Sequence, residues 1–218
     1  MKAYKLIIFD WDGTLMDSAH KIITCMQQAA ISCELPVPSA SAVAHIIGIS
    51  LQPAIAQLFN VTDEKVVDRL VEAYKHHYLS VDTTPCPLFD GVQPMLGQLA
   101  THTQLAVATG KARRGLERAW KGTDTAKYFD HSICADESES KPSPAMLRTL
   151  LERTGLSAQD AVMVGDTSYD MQMAQALGMD RVAVSYGVHT PELLQQFTPS
   201  ALVDDISELA DFLCAGYR

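Results

Sequence analysis

Two aspartates, Asp10 and Asp12, flank one tryptophan in the run Asp10-Trp11-Asp12-Gly13-Thr14-Leu15. Carboxylates this close repel each other, which favours a proton on one of them unless a cation sits between them. Mg²⁺ resolves the conflict, because it prefers carboxylate and carbonyl oxygens. Three further stretches carry groups suited to the same kind of site. Thr109-Gly110-Lys111 offers a hydroxyl and backbone N–H groups that can bind phosphate oxygens. Lys141-Pro142-Ser143-Pro144 offers a compact cation that could pair with Asp10 and hold a phosphoryl oxygen. Gly165-Asp166-Thr167-Ser168-Tyr169-Asp170 places two acids four residues apart, a spacing that lets both face one cleft. Taken singly, each stretch also has a plain explanation: a solvated turn, a helix cap followed by a surface lysine, a solvated loop lysine, and a helix start whose dipole favours acids.

Groups so far apart along the chain need a scaffold that gathers them. Leu6-Ile7-Ile8-Phe9 is a short continuous apolar run, the pattern of a strand buried on both faces of a parallel sheet. Leu105–Ala108, Ala161–Val164 and Arg181–Val184 read the same way, with weaker candidates at Ser132–Ala135 and Ala201–Val203. Helical patterns lie between them: Val92–Ala100, Ala112–Lys121, Pro144–Thr154 with Ser143 as its cap, and Met171–Leu177 closing at Gly178. Alternating strands and helices predict an α/β fold, a doubly wound parallel sheet of Rossmann type. Functional groups in such sheets sit at the carboxyl ends of strands, where Asp10, Thr109 and Asp166 stand.

One region breaks the alternation. From about Ser18 to about Val81 the chain reads as helices only: His20–Ile31, Ser39–Ile47, Pro53–Phe59 and Glu64–Leu79, with Ser50 and Thr62-Asp63 as caps. An inserted α-helical cap domain is expected over residues 16–85, and a catalytic core over 1–15 and 86–218. The stretch Thr84 to Gly91 suits a hinge.

With 47% hydrophobic and 20% charged residues, 218 residues suffice for a globular core without staples. The net charge of −9 and the absence of a basic stripe argue against nucleic acid. No segment approaches the roughly 20 apolar residues of a membrane helix. The five cysteines, Cys25, Cys33, Cys86, Cys134 and Cys214, form no CxxC pair, so free thiols are expected. The first apolar run is too short for a secretory signal, and a cytoplasmic location is expected. A monomer and a homodimer are equally compatible with the sequence.

The order Asp-x-Asp, Thr, Lys, Gly-Asp-x-x-x-Asp resembles the haloacid dehalogenase superfamily of phosphohydrolases. The helical insert after the first motif resembles the cap of its phosphoglycolate phosphatase-like branch. The resemblance implies that Asp10 is the nucleophile, forming an aspartyl phosphate, and that Asp12 is the general acid and then the base. It implies that Thr109 and Lys141 bind phosphoryl oxygens, with Gly110 beside them. Mg²⁺ would be held by a carboxylate oxygen of Asp10, the backbone carbonyl of Asp12, and Asp166, with Asp170 behind them as a partner of the inner ligands. A small phosphorylated metabolite, phosphoglycolate or a sugar phosphate, would be the substrate.

Asp12 argues for phosphoryl chemistry, since the true dehalogenases of the superfamily lack the second acid. The phosphonate-cleaving relatives use a cap lysine, and Lys21, Lys65 and Lys75 stand in no such context; Lys21 reads as a solvated helix residue. Candidates for substrate contacts are Asp17, Ser18, His20, His45, Gly48 and Ser50. Lys111, Arg113 and Arg114 flank the second motif, and the arginines are expected at the surface. His76-His77 reads as a solvated helix face. Two rivals are a phosphomutase of the β-phosphoglucomutase type and a non-catalytic binding protein on the same scaffold. Free phosphate as product separates the first, and Asp10→Asn separates the second.

Overall fold

The computed structural model describes residues 2–217. Its centre is β1 (Leu6–Phe9). Side chains alternate between faces along a strand. Ile7 and Phe9 therefore enter one apolar cluster, and Leu6 and Ile8 the other. The neighbouring strands β2 (Gln104–Ala108) and β4 (Ala161–Gly165) divide in the same way, Leu105 and Val107 against Ala106 and Ala108, Val162 and Val164 against Ala161 and Met163. A continuous apolar run is what a strand covered on both faces requires.

With β3 (His131–Ile133), β5 (Asp180–Val184) and β6 (Ala201–Val203), the sheet has the order β3-β2-β1-β4-β5-β6, all parallel. The helices of the core are α5 (Val92–Leu99), α6 (Arg113–Thr123), α7 (Ala145–Thr154), α8 (Ser168–Gln175), α9 (Pro191–Gln195) and α10 (Ile206–Cys214). Residues of α5 and α10 cover one face, those of α7 and α8 the other. The order reverses at β1, from which the chain steps first toward β2 and later toward β4. Ligands bind at such a switch point, beyond the carboxyl ends of the strands.

Between β1 and α5 run four helices: α1 (Ala19–Ser32), α2 (Ala40–Ile46), α3 (Leu51–Phe59) and α4 (Glu64–His76), the last continued by a π turn over His77–Val81. They enclose an apolar cluster of their own, with Met26, Val43, Ile55 and Leu70 at its heart. The insert leaves and rejoins the core along adjacent strand-like segments, where Asp17 N–H donates to the Pro87 carbonyl at 2.8 Å.

Several expectations shift. β3 begins at His131 and ends at Ile133, earlier than Ser132–Ala135. The fourth insert helix stops at His76 and the π turn takes over before Leu79. Ser39 and Asp63 cap their helices through their side chains; Ser50 holds the cap position of α3 without a side-chain capping bond, and its backbone N–H donates to Ser140 Oγ at 2.9 Å. Ser143 accepts from Ala145 N–H while Pro144 occupies the cap position, a one-residue displacement within the usual spread. α9 and α10 also carry cap signals in the sequence. Thr190 caps the first before Pro191, and Asp205 caps the second.

Candidate active site

Strand register brings the motifs together. Phe9 lies level with Val107 and Val164, so Asp10, Thr109 and Asp166 leave the sheet along one edge. Asp10 N–H donates to the Val164 carbonyl at 2.9 Å, which ties the first motif to β4. Gly13 then turns the chain at φ +84°. A Cβ there would lie 2.3 Å from Asp166 Oδ2, so glycine is needed both for the turn and for the approach of the second acid.

Asp10, Asp166 and Asp170 form a cluster whose carboxylate oxygens lie within 4.8 Å of one another, all buried. Lys141 sits among them, its side chain fully buried. Nζ lies 2.9 Å from Asp10 Oδ1 and 2.7 Å from Asp170 Oδ1. Asp170 is bound on its other side too: Oδ2 accepts from Thr167 Oγ1 at 2.6 Å and Thr167 N–H at 3.2 Å. This is a capping box at the start of α8. Asp166 accepts from Thr14 Oγ1 at 2.7 Å and from Val188 N–H at 2.9 Å.

Asp10 is the exception. Neither of its buried oxygens accepts a hydrogen bond, and Oδ1 has only the Lys141 ion pair. Burial pushes its carboxyl well above the usual carboxylate range; Lys141 pulls it down, while Asp170 and Asp166 push it up. Burial first, and Asp170 next, raise the Asp166 carboxyl to about 7. Burial alone would lower the Lys141 ammonium, but Asp10 and Asp170 outweigh it and hold it protonated. Three carboxylates facing one ammonium, with a donor-free oxygen on Asp10, form an oxygen-rich site short of positive charge. A hard divalent cation such as Mg²⁺ fits that donor set.

The Asp12 carboxylate lies outside this cluster. Oδ1 accepts from Ser18 Oγ at 2.6 Å, and Lys111 Nζ lies 2.9 Å from Oδ2. Thr109 is buried at the end of β2, and its Oγ1 accepts from Lys111 N–H at 3.1 Å. Asp10, Asp12, Thr109, Gly110 and Lys111 line one cavity of about 480 Å³, roofed by the helical insert. In a chain of net charge −9, the exposed charged residues of the cavity's lining are three cations, Lys75, Arg114 and Arg118, against one acid, Asp136. Such a mouth concentrates anions.

Insert and core meet at named contacts. Tyr169 hydroxyl donates to the His45 carbonyl at 2.8 Å. His189 Nδ1 accepts from Ser168 N–H at 2.9 Å, which leaves Nε2–H to donate to the same carbonyl at 3.2 Å. Burial holds the His189 ring below its usual range, consistent with that neutral form. The His45 and His189 rings stack at 5.1 Å. A Cβ on Gly110 would lie 2.4 Å from the Gly48 carbonyl oxygen. Gly110→Ala therefore forces insert and core apart at the cavity. Its kcat/KM is expected to fall between about tenfold and a hundredfold, the penalty of an ångström-scale misplacement. Steady-state kinetics beside an unchanged circular dichroism spectrum measure this.

Of the substrate-contact candidates, Gly48 lines the cavity. Asp17 and His20 are exposed, Ser18 is spent on Asp12, and His45 and Ser50 serve the contact between insert and core. Lys21 is not solvated. It is largely buried and donates to the carbonyls of Asp82 (2.8 Å) and Thr84 (3.3 Å), clamping α1 to the returning chain. Arg113 pairs with Glu137 at 2.7 Å, while Arg114 and Arg118 are exposed at the cavity mouth. His77 bonds Ser32 across the insert at 2.8 Å. Thr14, Ser18, Thr167 and His189 went unassigned or misassigned because hydroxyl and imidazole partners distant in sequence leave no local pattern.

Comparison with known proteins agrees with this geometry. The profile of the haloacid dehalogenase-like hydrolases matches residues 7–184. The chain is 32% identical to the probable phosphatase IndB of Dickeya dadantii, covering 94% of this chain and 91% of the relative. It is 31% identical to the tyrosine-protein kinase PtkA of Mycobacterium tuberculosis (94% and 72% covered) and 29% identical to the phosphoglycolate phosphatase of Pectobacterium atrosepticum (96% and 92%). A solved structure described as a predicted phosphoglycolate phosphatase from Haemophilus somnus superimposes with a TM-score of 0.85 at 25% identity, over 99% of each chain. The chain thus belongs to the haloacid dehalogenase-like hydrolase family, as one of its phosphatases.

Proposed function

We propose that this protein is a Mg²⁺-dependent phosphatase that hydrolyses a small phosphorylated metabolite through an aspartyl phosphate on Asp10. The donor-free oxygen of buried Asp10, at the floor of a cavity and beside Lys141, is the observation that carries this reading. Asp10 attacks phosphorus while the bond to the ester oxygen breaks. Asp12, two residues on and also facing the cavity, delivers a proton to that departing oxygen. It then takes a proton from water as the water attacks phosphorus and the acyl phosphate bond breaks, releasing phosphate. Covalent capture divides one slow hydrolysis into two easier steps. Lys141 and Thr109 bind phosphoryl oxygens, the ammonium offsetting repulsion between two anions.

Asp10, the backbone carbonyl of Asp12 and Asp166 would hold Mg²⁺, with Asp170 kept in reserve by Lys141 and Thr167. The bound ion supplies Lewis-acid neutralisation of the phosphoryl charge. No disulfide links the five cysteines, and no described helix is long and apolar enough to cross a membrane. Cysteines without disulfides support a cytoplasmic location. The test is a screen of phosphorylated metabolites with Mg²⁺ and with EDTA. Phosphate release that needs Mg²⁺ supports the reading; an isomerised sugar phosphate without free phosphate would replace it with a mutase.

Metal binding should register in stability as well. A carboxyl raised from 3.8 to about 7 on folding, as Asp166 is, keeps a proton that the unfolded chain sheds. Its stabilising contribution is full below the unfolded value and is lost as pH rises through about 7. Mg²⁺ replaces that proton, so it should raise Tm more at pH 8 than at pH 5.5. At a hundredfold excess over Kd the gain at pH 8 is about 2.7 kcal/mol, or roughly 5–10 °C. Thermal melts at the two pH values check this, and an equal shift at both would contradict it.

A further inference from the structure

We infer that the substrate is a phosphate monoester whose leaving group is an apolar, ring-sized body, and not a sugar or a two-carbon acid. This rests on the phosphatase reading and specifies what fills the cavity above Asp10. The floor holds the acids, Thr109 and Lys111, while the walls above it are Ile22, Met26, Ile49, Ala54, Tyr74 and Tyr78. Those walls come from α1, the segment leading into α3, α3 itself, α4 and the π turn, so the helical insert supplies them. The apolar cluster that holds the insert together thus also lines the space above the reacting groups.

Two observations argue against the small polar alternatives. At about 480 Å³ the cavity falls within the range, roughly 300–1,000 Å³, that encloses drug-sized ligands. A two-carbon leaving group would leave most of it to water against apolar walls. A sugar would fill the space but meet few partners, because the only polar side-chain atoms of those walls are the hydroxyls of Tyr74 and Tyr78, the latter 3.9 Å from Cys86 Sγ. Among the described lining residues there is no Asn, Gln, Glu, Ser or His, and the charged ones lie at the floor or the mouth. Hydroxyls stripped of water without new partners weaken binding, whereas an apolar ring gains by leaving water. The cationic mouth at Arg114 and Arg118 draws the phosphate dianion in without discriminating among leaving groups.

The test compares three primary-alkyl monoesters of similar leaving-group basicity, 2-phenylethyl phosphate, glycerol 3-phosphate and glucose 6-phosphate, in Mg²⁺ with the whole chain. The kcat/KM for 2-phenylethyl phosphate is expected to exceed both others by about tenfold or more, through a lower KM. Ala54→Phe, which fills the wall, is expected to reduce that preference ratio by about tenfold. Should the variant fail to fold, product inhibition of the parent enzyme decides: 2-phenylethanol competes with substrate and glycerol does not. Equal or reversed kcat/KM values would overturn the inference and leave the phosphatase intact. No hydrolysis of any monoester in Mg²⁺ would overturn both.

Discussion

Asp10→Asn is expected to reduce phosphate release by about 10⁴-fold or more, while the metal-free protein melts no lower than the parent. Loss of a covalent nucleophile removes the step itself, and such losses are of this size or larger in enzymes of comparable design. The stability half of the expectation is specific to this site. Asp10 is buried, its oxygens lack hydrogen-bond donors, and two further carboxylates lie within 4.8 Å. An amide of the same shape relieves like-charge repulsion and a desolvation penalty, at the loss of one ion pair from a lysine that keeps Asp170. Phosphate assays and melts in EDTA measure the two halves. An Asn variant that retains more than about a hundredth of the activity would rule Asp10 out as nucleophile. One that unfolds would show the carboxylate to be structural.

Lys141→Met should have the opposite signature, inactive and strongly destabilised. Lys141 is the cation that Asp10 and Asp170 share, at 2.9 and 2.7 Å, with its side chain wholly inaccessible. Removing one partner of a buried ion pair typically costs about 3–5 kcal/mol, because the remaining charge is stranded. For a chain of this length that corresponds to a fall in Tm of roughly 6–20 °C. The deficit should shrink as pH drops from 8 toward 5, where the Asp166 carboxyl, raised to about 7, takes up its proton, and it should shrink again in saturating Mg²⁺. Lys141→Arg is expected not to rescue activity, since a planar guanidinium differs in size and shape from the compact ammonium that sits wholly buried between Asp10 and Asp170. A Met variant as stable as the parent at pH 8 would mean that the acids carry no net charge burden, and the electrostatic account of the site would fall.

The strands of this protein are legible because burial on two faces writes a local code. Leu6–Phe9 and Ala161–Val164 are apolar without interruption, and each ends where a polar group must emerge. The edge strand was placed less well. His131–Ile133 is short and only partly buried, so its apolar pattern runs on into Cys134 and Ala135. Helix caps are readable when side chain and backbone partner lie a few residues apart, as at Asp63 and Lys65, whereas Ser50 stands at the cap position of α3 and its backbone N–H binds Ser140, ninety positions away.

From the linear chain alone, the acids and the threonine could be recognised, because each of their motifs is a strand end followed by a polar turn and needs no distant information; Lys141 follows no strand directly and stood out only through the order of the four motifs. The roles of Ser18 and Lys111 around Asp12, the clamp made by Lys21, and the contact of Tyr169 and His189 with His45 were settled only on folding. So was the cavity, whose apolar walls look in sequence like any helix face turned toward a core. Side-chain type is local, but which face of an inserted helix meets its own core and which meets the reacting groups depends on how two separately packed clusters dock. That docking is set by long-range hydrogen bonds and close backbone approaches, for which no periodicity exists in the chain.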